Sequence, residues 1–203
     1  EQPGFFGADE FVAGQYFRDN MAAYGPAIYI GDGLQMAQNP YCNIWSKDGA
    51  YCLIRYCNLF IDNVDLCQNM TKDEKTLWKA EIKALKASTY FELLKRYGSF
   101  ILVPENIDAN ADKVAMQQPR ASIDDCVNAI VSLCDEAIAD LPTMSGSEES
   151  RHAYFKKEST AAVKAYALLF AASPLFNGNE QLKNFTNKNG ERLFPDYDKE
   201  SYP

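Results

Sequence analysis

Aromatic and polar side chains gather in one irregular segment, residues 24–45, which is rich in turn-forming residues. Aromatic rings pack their flat faces on apolar surface, while carboxylates and amides exchange hydrogen bonds with hydroxyl groups. Loops held by a rigid scaffold commonly carry binding residues. We therefore predict a site for a ligand with apolar ring faces and hydroxyls, as a sugar has, formed by Tyr24, Tyr29, Asp32, Gln35, Asn39, Tyr41 and Trp45. The alternative for Trp45 is that it anchors the next helix in the core.

Residues suited to acid–base or nucleophilic chemistry are sparse. His152 is the one histidine, in a polar loop, so no Ser-His-Asp or Cys-His arrangement can be assembled around a second imidazole. No phosphate-binding loop motif occurs, and the acidic stretch 62–74 lacks the central glycine of a calcium loop. Glu81 and Glu92 fall on one predicted helix, where solubility and capping explain them better than a catalytic pair. We expect no enzyme activity, no metal ion and no cofactor.

Charge and composition narrow the class of protein. The 203 residues carry 20 Lys and Arg against 28 Asp and Glu, a net charge of −8, which disfavours nucleic-acid binding. Hydrophobic residues make up 47%, enough for a sizeable core. The longest apolar run falls short of the about 20 residues of a membrane-spanning helix. The six cysteines contain no C-x-x-C pair, so we expect most to be buried thiols.

The elements that would position the binding segment are helical. One short helix is predicted at 9–22, and helical periodicity becomes continuous after residue 46. Thr71 with Glu74, and Ser122 with Asp125, predict capping boxes, and Gly98 ends the second long helix. Each of the first three long helices has a predicted inward stripe. In the first helix it is Cys52, Leu53, Tyr56, Cys57, Phe60, Val64 and Cys67, and in the second it is Leu77, Ala80, Ala84, Leu85, Ser88, Phe91 and Leu94. In the third helix it is Cys126, Val127, Ile130, Leu133, Cys134, Ala137 and Ile138.

The fourth predicted long helix, 159–172, is rich in alanine, which permits close packing against a neighbour. We expect it to be mostly buried, with contacts at Ala161, Ala165, Tyr166, Leu169 and Phe170, so that Ala165→Leu would overpack the core by about 1–3 kcal/mol. Pro174 ends this helix, Gly178 completes the turn, and Asn189-Gly190 predicts a hairpin.

Four amphipathic helices in two antiparallel pairs predict an all-α fold, an irregular tetratricopeptide-like scaffold of helical hairpins with long loops and a small β-hairpin. We assign residues 1–203 to one helical domain. Its parts are a loop-rich segment at 1–44, the helical-repeat scaffold at 45–179, and a hairpin with a loop at 180–203.

The motifs of the scaffold resemble those of the SusD/RagB family. Residues 45–64 look like its tryptophan–tyrosine–isoleucine–asparagine helix, residues 81–105 like the next helix, and residues 120–142 like its Arg-x-Ser helix ending in Leu-Pro. The most specific match is the ending Ala172-Ser173-Pro174-Leu175-Phe176-Asn177-Gly178-Asn179. Lys86 departs from the pattern, which usually has arginine there.

This resemblance implies a protein at the surface of the outer membrane of Gram-negative bacteria, held by a lipid anchor outside this chain. It implies a glycan ligand, sometimes a peptide, and a partner, the SusC-like TonB-dependent transporter barrel, on which the protein sits as a lid. Family members are much longer, so the resemblance also implies that N- and C-terminal parts of the protein lie outside residues 1–203.

Two other classes stay open at the level of the sequence. An intracellular helical-repeat adaptor would have regular repeat spacing and short loops, whereas the connections here vary widely in length. An all-α glycan-cleaving enzyme would depend on a single essential carboxylate. The reading that we expect is a nutrient-binding module that recognises its ligand without altering it.

Overall fold

The computed structural model describes residues 12, 14–21, 26–38, 40, 43–108, 110–145 and 153–196. Contacts within the chain group into two compact units, Glu1–Ser46 and Lys47–Pro203, each of which we describe by itself. The described residues of the first unit include two short helices, α1 at Gln15–Met21 and α2 at Pro26–Tyr29. Helix α1 falls within the helix predicted at residues 9–22.

The second unit, here called the helical unit, has four long helices and one short one in its described part. No β-strand forms in the part of the chain that the structure describes, so the predicted all-α class is confirmed. The helices are α3 at Ala50–Asn63, followed by a 3-10 turn at Val64–Leu66, then α4 at Lys72–Tyr97, α5 at Lys113–Met116, α6 at Ile123–Asp140 and α7 at Lys157–Ala172.

The predicted caps explain where the long helices begin. At the start of α4, the Thr71 hydroxyl accepts from the Glu74 N–H (3.3 Å), and the Glu74 carboxylate accepts from the Thr71 N–H (2.7 Å). The Ser122 hydroxyl likewise accepts from the Asp125 N–H (3.0 Å) at the start of α6, while the Asp125 carboxylate accepts from the Ser122 hydroxyl (2.7 Å). Each cap satisfies a backbone donor that the first turn leaves unpaired.

Helix α4 is the centre of the helical unit. It packs against α6 most extensively, against α3 on another side, and against α7 near its C-terminus. Gly98 ends it with φ of 66°, in the left-handed region that glycine adopts readily. Of the predicted stripe, Ala80, Ala84 and Leu94 are buried, whereas Leu77, Leu85, Ser88 and Phe91 are half-buried. Because neighbours surround this helix, residues outside the stripe are buried as well, namely Glu81, Lys86, Ala87, Thr89, Tyr90 and Leu93.

The inward face of α3 differs from the predicted one. Leu53 and Tyr56 are exposed, as is Cys67 beyond the helix, whereas Ile54 and Asn58 are buried. The prediction followed hydrophobicity alone, and this helix turns the polar Asn58 inward because its amide finds partners there. The Asn58 amide nitrogen donates to the Val103 carbonyl at 3.2 Å.

The expectation that α7 is mostly buried is wrong. Ala161, Ala165, Tyr166 and Leu169 are exposed, with Tyr166 at 64% and Leu169 at 69% of their full accessible surface. Helix α7 packs on α6 and touches only the C-terminal end of α4, so its other side has no helical neighbour among the described residues. Of the predicted contacts, Phe170 is the one that packs inward.

A row of phenylalanine rings joins α4 to the segment after α7. Phe91 meets Phe170 edge-on at 6.1 Å between ring centroids, Phe170 lies 5.0 Å from Phe176, and Phe176 stacks on Phe194 at 6.0 Å. Phe185 meets Phe194 at 6.4 Å and completes the row. The segment 180–196 is therefore packed onto the helices.

The hairpin predicted at Asn189-Gly190 is present as a turn with a single antiparallel bridge. Gly190 has φ of 83°, its N–H donates to the Asn187 carbonyl (3.0 Å), and an antiparallel bridge joins Thr186 to Arg192. The bridge is isolated because the chain diverges at once: the Leu193 side chain is buried, and its carbonyl accepts from the Ile123 N–H at the start of α6.

Three of the five described cysteines fit the expected role of small buried groups. Cys57, Cys126 and Cys134 are buried, Cys52 is half-buried, and all five thiols are free. Burial raises the pKa of Cys126 to about 12 and that of Cys134 to about 11, because an apolar interior penalises the thiolate. Cys42 lies outside the described residues.

Candidate functional site

The predicted binding segment is described in part, as a closed turn that follows α2. The N–H groups of Asp32 and Leu34 donate to the carbonyls of Ile28 (2.9 Å) and Tyr29 (2.8 Å). Gly33 has φ of 69°, which a side chain at that position would disfavour. Since the Leu34–Tyr29 bond closes the bend, Tyr29 and Asp32 belong to one tight loop.

Four of the seven predicted site residues belong to the described part of the chain. Tyr29 and Trp45 are half-buried, and Asp32 and Gln35 are exposed. Tyr24, Asn39 and Tyr41 lie outside the described residues. The bend thus brings Tyr29, Asp32 and Gln35 into one short segment, and the assignment of residues 24–45 as a binding site stays a prediction.

Trp45 is held by a local bond. Its backbone N–H donates to the side-chain oxygen of Asn43 at 3.2 Å, which fixes the chain just before the helical unit begins. A half-buried indole is compatible with either role considered for this residue, a ligand contact or an anchor.

A buried polar network lies between α3, α4 and the extended segment that follows α4. The Lys86 ammonium, only 4% exposed, donates to the Asn58 side-chain oxygen (2.6 Å) and to the Pro104 carbonyl (3.0 Å). The Tyr90 hydroxyl donates to the Val103 carbonyl (3.0 Å) and accepts from the Val103 N–H (3.1 Å). These bonds replace a strand ladder and fix residues 103–104 against two helices.

The network explains the departure at Lys86. Burial lowers the pKa of its ammonium, since the charged form loses water, while its hydrogen bonds to two oxygens offset part of that cost. The same burial raises the pKa of Tyr90 to about 12. A compact ammonium satisfies both acceptors here, so the lysine performs a structural role and is not a candidate nucleophile.

The described residues of the helical unit form two surface concavities of a size that suits a small ligand. The first, here called the polar cleft, has a volume of about 500 Å³ and lies between residues 118–125 and residues 187–192, with Leu102 between them. The second, here called the apolar groove, has about 530 Å³ and is lined by Phe91, Lys95, Tyr166, Leu169, Phe170 and Ser173. Both volumes are in the range of small-molecule sites, about 300–1,000 Å³.

Two observations about metal ions and membranes apply to the described residues. Among them, no group of three or more His, Cys, Asp or Glu side chains is arranged to hold a metal ion. Within the same ranges, no helix combines the length and the apolar character needed to cross a bilayer. His152 and its loop lie outside the description.

The helical architecture matches one known family. The family model for SusD-like proteins, described as starch-binding and associating with the outer membrane, matches residues 10–170. The chain belongs to the SusD-like family. The match covers α1 to α6 and most of α7, and it ends before the turn at residues 186–192.

Solved SusD-like structures share this fold. The protein BT4246 has a TM-score of 0.73 and 28% identity over 85% of this chain. A SusD-like protein from Bacteroides fragilis NCTC 9343 has a TM-score of 0.62 at 24% identity over 77% of this chain and 29% of its own length. A laminarin-binding SusD-like protein has a TM-score of 0.52 at 21% identity over 61% of this chain and 25% of its own length. The chain spans 30% of the length of BT4246, and no curated protein matches it.

Sequence reasoning missed both concavities of this SusD-like chain. The polar cleft joins residues that are more than sixty positions apart, and its charged side chains looked like an ordinary solvated surface. The apolar groove follows from the open side of α7, which a helical pattern cannot reveal. A local signal existed only for the cleft, in the turn residues Asn187 and Gly190.

Proposed function

We propose that this chain is part of a cell-surface glycan-binding protein of the outer membrane, one that recognises its ligand without altering it. The observation that carries the proposal is the family match over residues 10–170, whose description names starch binding and the outer membrane. The laminarin-binding relative supports a glycan as the ligand class. Recognition is assigned to the segment 24–45.

The turn at residues 28–34 supports that assignment through its rigidity. Two backbone bonds and a glycine of positive φ fix the bend, so the backbone at Tyr29 and Asp32 loses little conformational freedom when a ligand binds. Gln35 adds an amide that both donates and accepts. A bend of this kind offers a ring face and hydrogen-bonding groups within one short loop.

The test is a binding titration of the whole protein with starch and laminarin oligosaccharides. We expect Tyr29→Ala, Asp32→Ala and Tyr41→Ala together to weaken binding by at least about tenfold, equivalent to about 1.4 kcal/mol. The matched control is Tyr56→Ala with Asp48→Ala, an exposed tyrosine and an exposed carboxylate on the helical unit. Equal affinity for the two variants would place the binding site elsewhere.

Binding without cleavage has its own measurement. The protein incubated with starch or laminarin should release no new reducing ends beyond a sample without protein. Release that a single carboxylate substitution abolishes would instead establish the glycan-cleaving alternative.

We infer a role in delivery to a SusC-like TonB-dependent transporter, with a lipid anchor at the cell surface. The family's association with the outer membrane supports this role, and a rigid helical scaffold suits a lid that presents one face to a second protein. The whole protein, captured from outer membranes in mild detergent, should bring down a stoichiometric transporter barrel, and protease added to intact cells should reach it. Capture of the protein by itself at native expression would contradict the partnership.

A further inference from the structure

The polar cleft is a rigid feature of the helical unit. The Asn187 side-chain amide donates to the Arg120 carbonyl (2.9 Å), and the Lys188 ammonium donates to the Gln117 carbonyl. Next to the cleft along the chain, the Ile123 N–H donates to the Leu193 carbonyl at 2.8 Å. These bonds join the two walls at three places, so the cleft keeps its width without a ligand.

The charged groups of the cleft are balanced and held in place. Two arginines, Arg120 and Arg192, face the same cleft as two carboxylates, Asp125 and Glu191. The Glu191 carboxylate accepts from the Asn187 amide (2.7 Å), and the Arg192 guanidinium donates to Asp196 (2.9 Å). An ionic ligand would therefore meet charge of its own sign, whereas a neutral ligand meets fixed donors and acceptors.

Apolar surface interrupts the polar groups. Leu102, Pro119 and Ala121 line the cleft and are half-buried, so each presents part of its side chain to the opening. A sugar ring has the matching surface, because its C–H faces are apolar and its edge carries hydroxyls that both donate and accept. The volume of about 500 Å³ accommodates a ligand larger than a single small ion or water cluster.

We propose that the polar cleft is a second binding site for neutral oligosaccharides, separate from the segment 24–45. The inference rests on the proposed function, since it takes the ligand class from there. It adds a site that the family match does not contain, because one wall of the cleft, residues 187–192, lies beyond residues 10–170.

The variant that tests the cleft removes polar groups without opening its walls. In Glu191→Ala with Gln118→Ala, the Asn187 amide still donates to the Arg120 carbonyl, and the Gly190 turn is unchanged. The matched control is Glu180→Ala, which removes an exposed carboxylate of the same segment outside the cleft. Equal melting temperatures for the three proteins establish that all are folded.

Binding is measured on the whole protein with an array of neutral and anionic oligosaccharides that includes starch and laminarin fragments. We expect the cleft variant to bind a neutral glycan at least about fivefold more weakly than the control does. Hydrogen exchange should slow on addition of that glycan at the amides of residues 118–125 and 187–192. Both results together support the cleft as a binding site.

The contrary results separate the two proposals. Unchanged affinity and exchange in the cleft, with loss of binding in the Tyr29, Asp32 and Tyr41 variant, overturn the cleft and leave the proposed function standing. Binding restricted to anionic oligosaccharides overturns the ligand class inferred here. If no glycan on the array binds the unaltered protein, both proposals fall.

Discussion

Helices α4 and α7 both contain several alanines, but their surroundings differ. The sequence predicted one inward stripe for α4 and burial of most of α7. Helix α4 has neighbours on three sides, whereas α7 presents alanines, Tyr166 and Leu169 to solvent. Alanine therefore indicates that a close approach is permitted, and only the tertiary structure decides from how many directions a neighbour comes.

The largest expected effect comes from one substitution made in both helices. Leu93 of α4 is fully buried, and Leu169 of α7 is 69% exposed. We expect Leu93→Ala to lower the free energy of unfolding by about 2–5 kcal/mol, because it leaves a cavity, and Leu169→Ala to change it by about 0.5 kcal/mol or less. Urea unfolding measures both values. Similar losses would mean that α7 is covered on its outer side.

The second comparison uses a lysine from each helix. Lys86→Met removes the donor for Asn58 and the Pro104 carbonyl and leaves buried acceptors unpaired, which should cost about 1–3 kcal/mol. Lys164→Met removes a part-exposed ion pair with Asp135 and should cost about 0–1 kcal/mol. Urea unfolding measures the free energy of unfolding of both variants. A neutral or stabilising Lys86→Met would show that desolvation of the ammonium outweighs its hydrogen bonds.

A third, smaller effect appears at high pH and reports on the interior beside α4. The pKa of Cys134 is raised from 9.0 to about 11 by burial, so the unfolded chain releases this proton first. The stability due to the neutral thiol is complete below pH 9 and is lost as pH rises towards 11. Between pH 9 and pH 10 the unaltered protein should lose about 1 kcal/mol more than Cys134→Ala does. Parallel pH profiles for the two proteins would contradict this burial.

The smallest effect is expected at the position where the sequence predicted strain. Ala165 is exposed, so Ala165→Leu should change the free energy of unfolding by about 0.5 kcal/mol or less. The larger overpacking cost that the sequence alone predicts for this substitution should not be observed. Ala84→Leu in α4, where the alanine is 1% exposed, is the matched control and should cost about 1–3 kcal/mol. A melting temperature lowered equally by both changes would mean that α7 is packed on its outer face.

Local rules predicted the features whose causes are local. Thr71, Ser122, Gly98 and Gly190 act through bonds or dihedral angles within a few residues, and each was recognised in the sequence. The inward face of α3 was mistaken because Asn58 is buried through partners that lie 28 and 45 positions away. No pattern within a helix contains that information.

The candidate sites also differ in whether their causes are local in the sequence. Composition predicts a binding segment at residues 24–45, and this assignment stays a prediction. The bend at 28–34 is the kind of turn that its glycines predict. Both concavities of the helical unit depend on which helices meet and on which sides stay open. Their residues carry no common motif, so the tertiary structure alone reveals them.

The row of phenylalanine rings determines how a protease would meet the end of the described chain. Lys183 and Arg192 are sites at which trypsin cuts, and both have substantial exposure. However, Phe176, Phe194 and the buried Leu193 hold this stretch against α6 and α7, while a protease must draw an extended stretch of backbone into its active site. Cleavage there has to wait until the rings separate, so its rate follows the detachment of this segment from the helices.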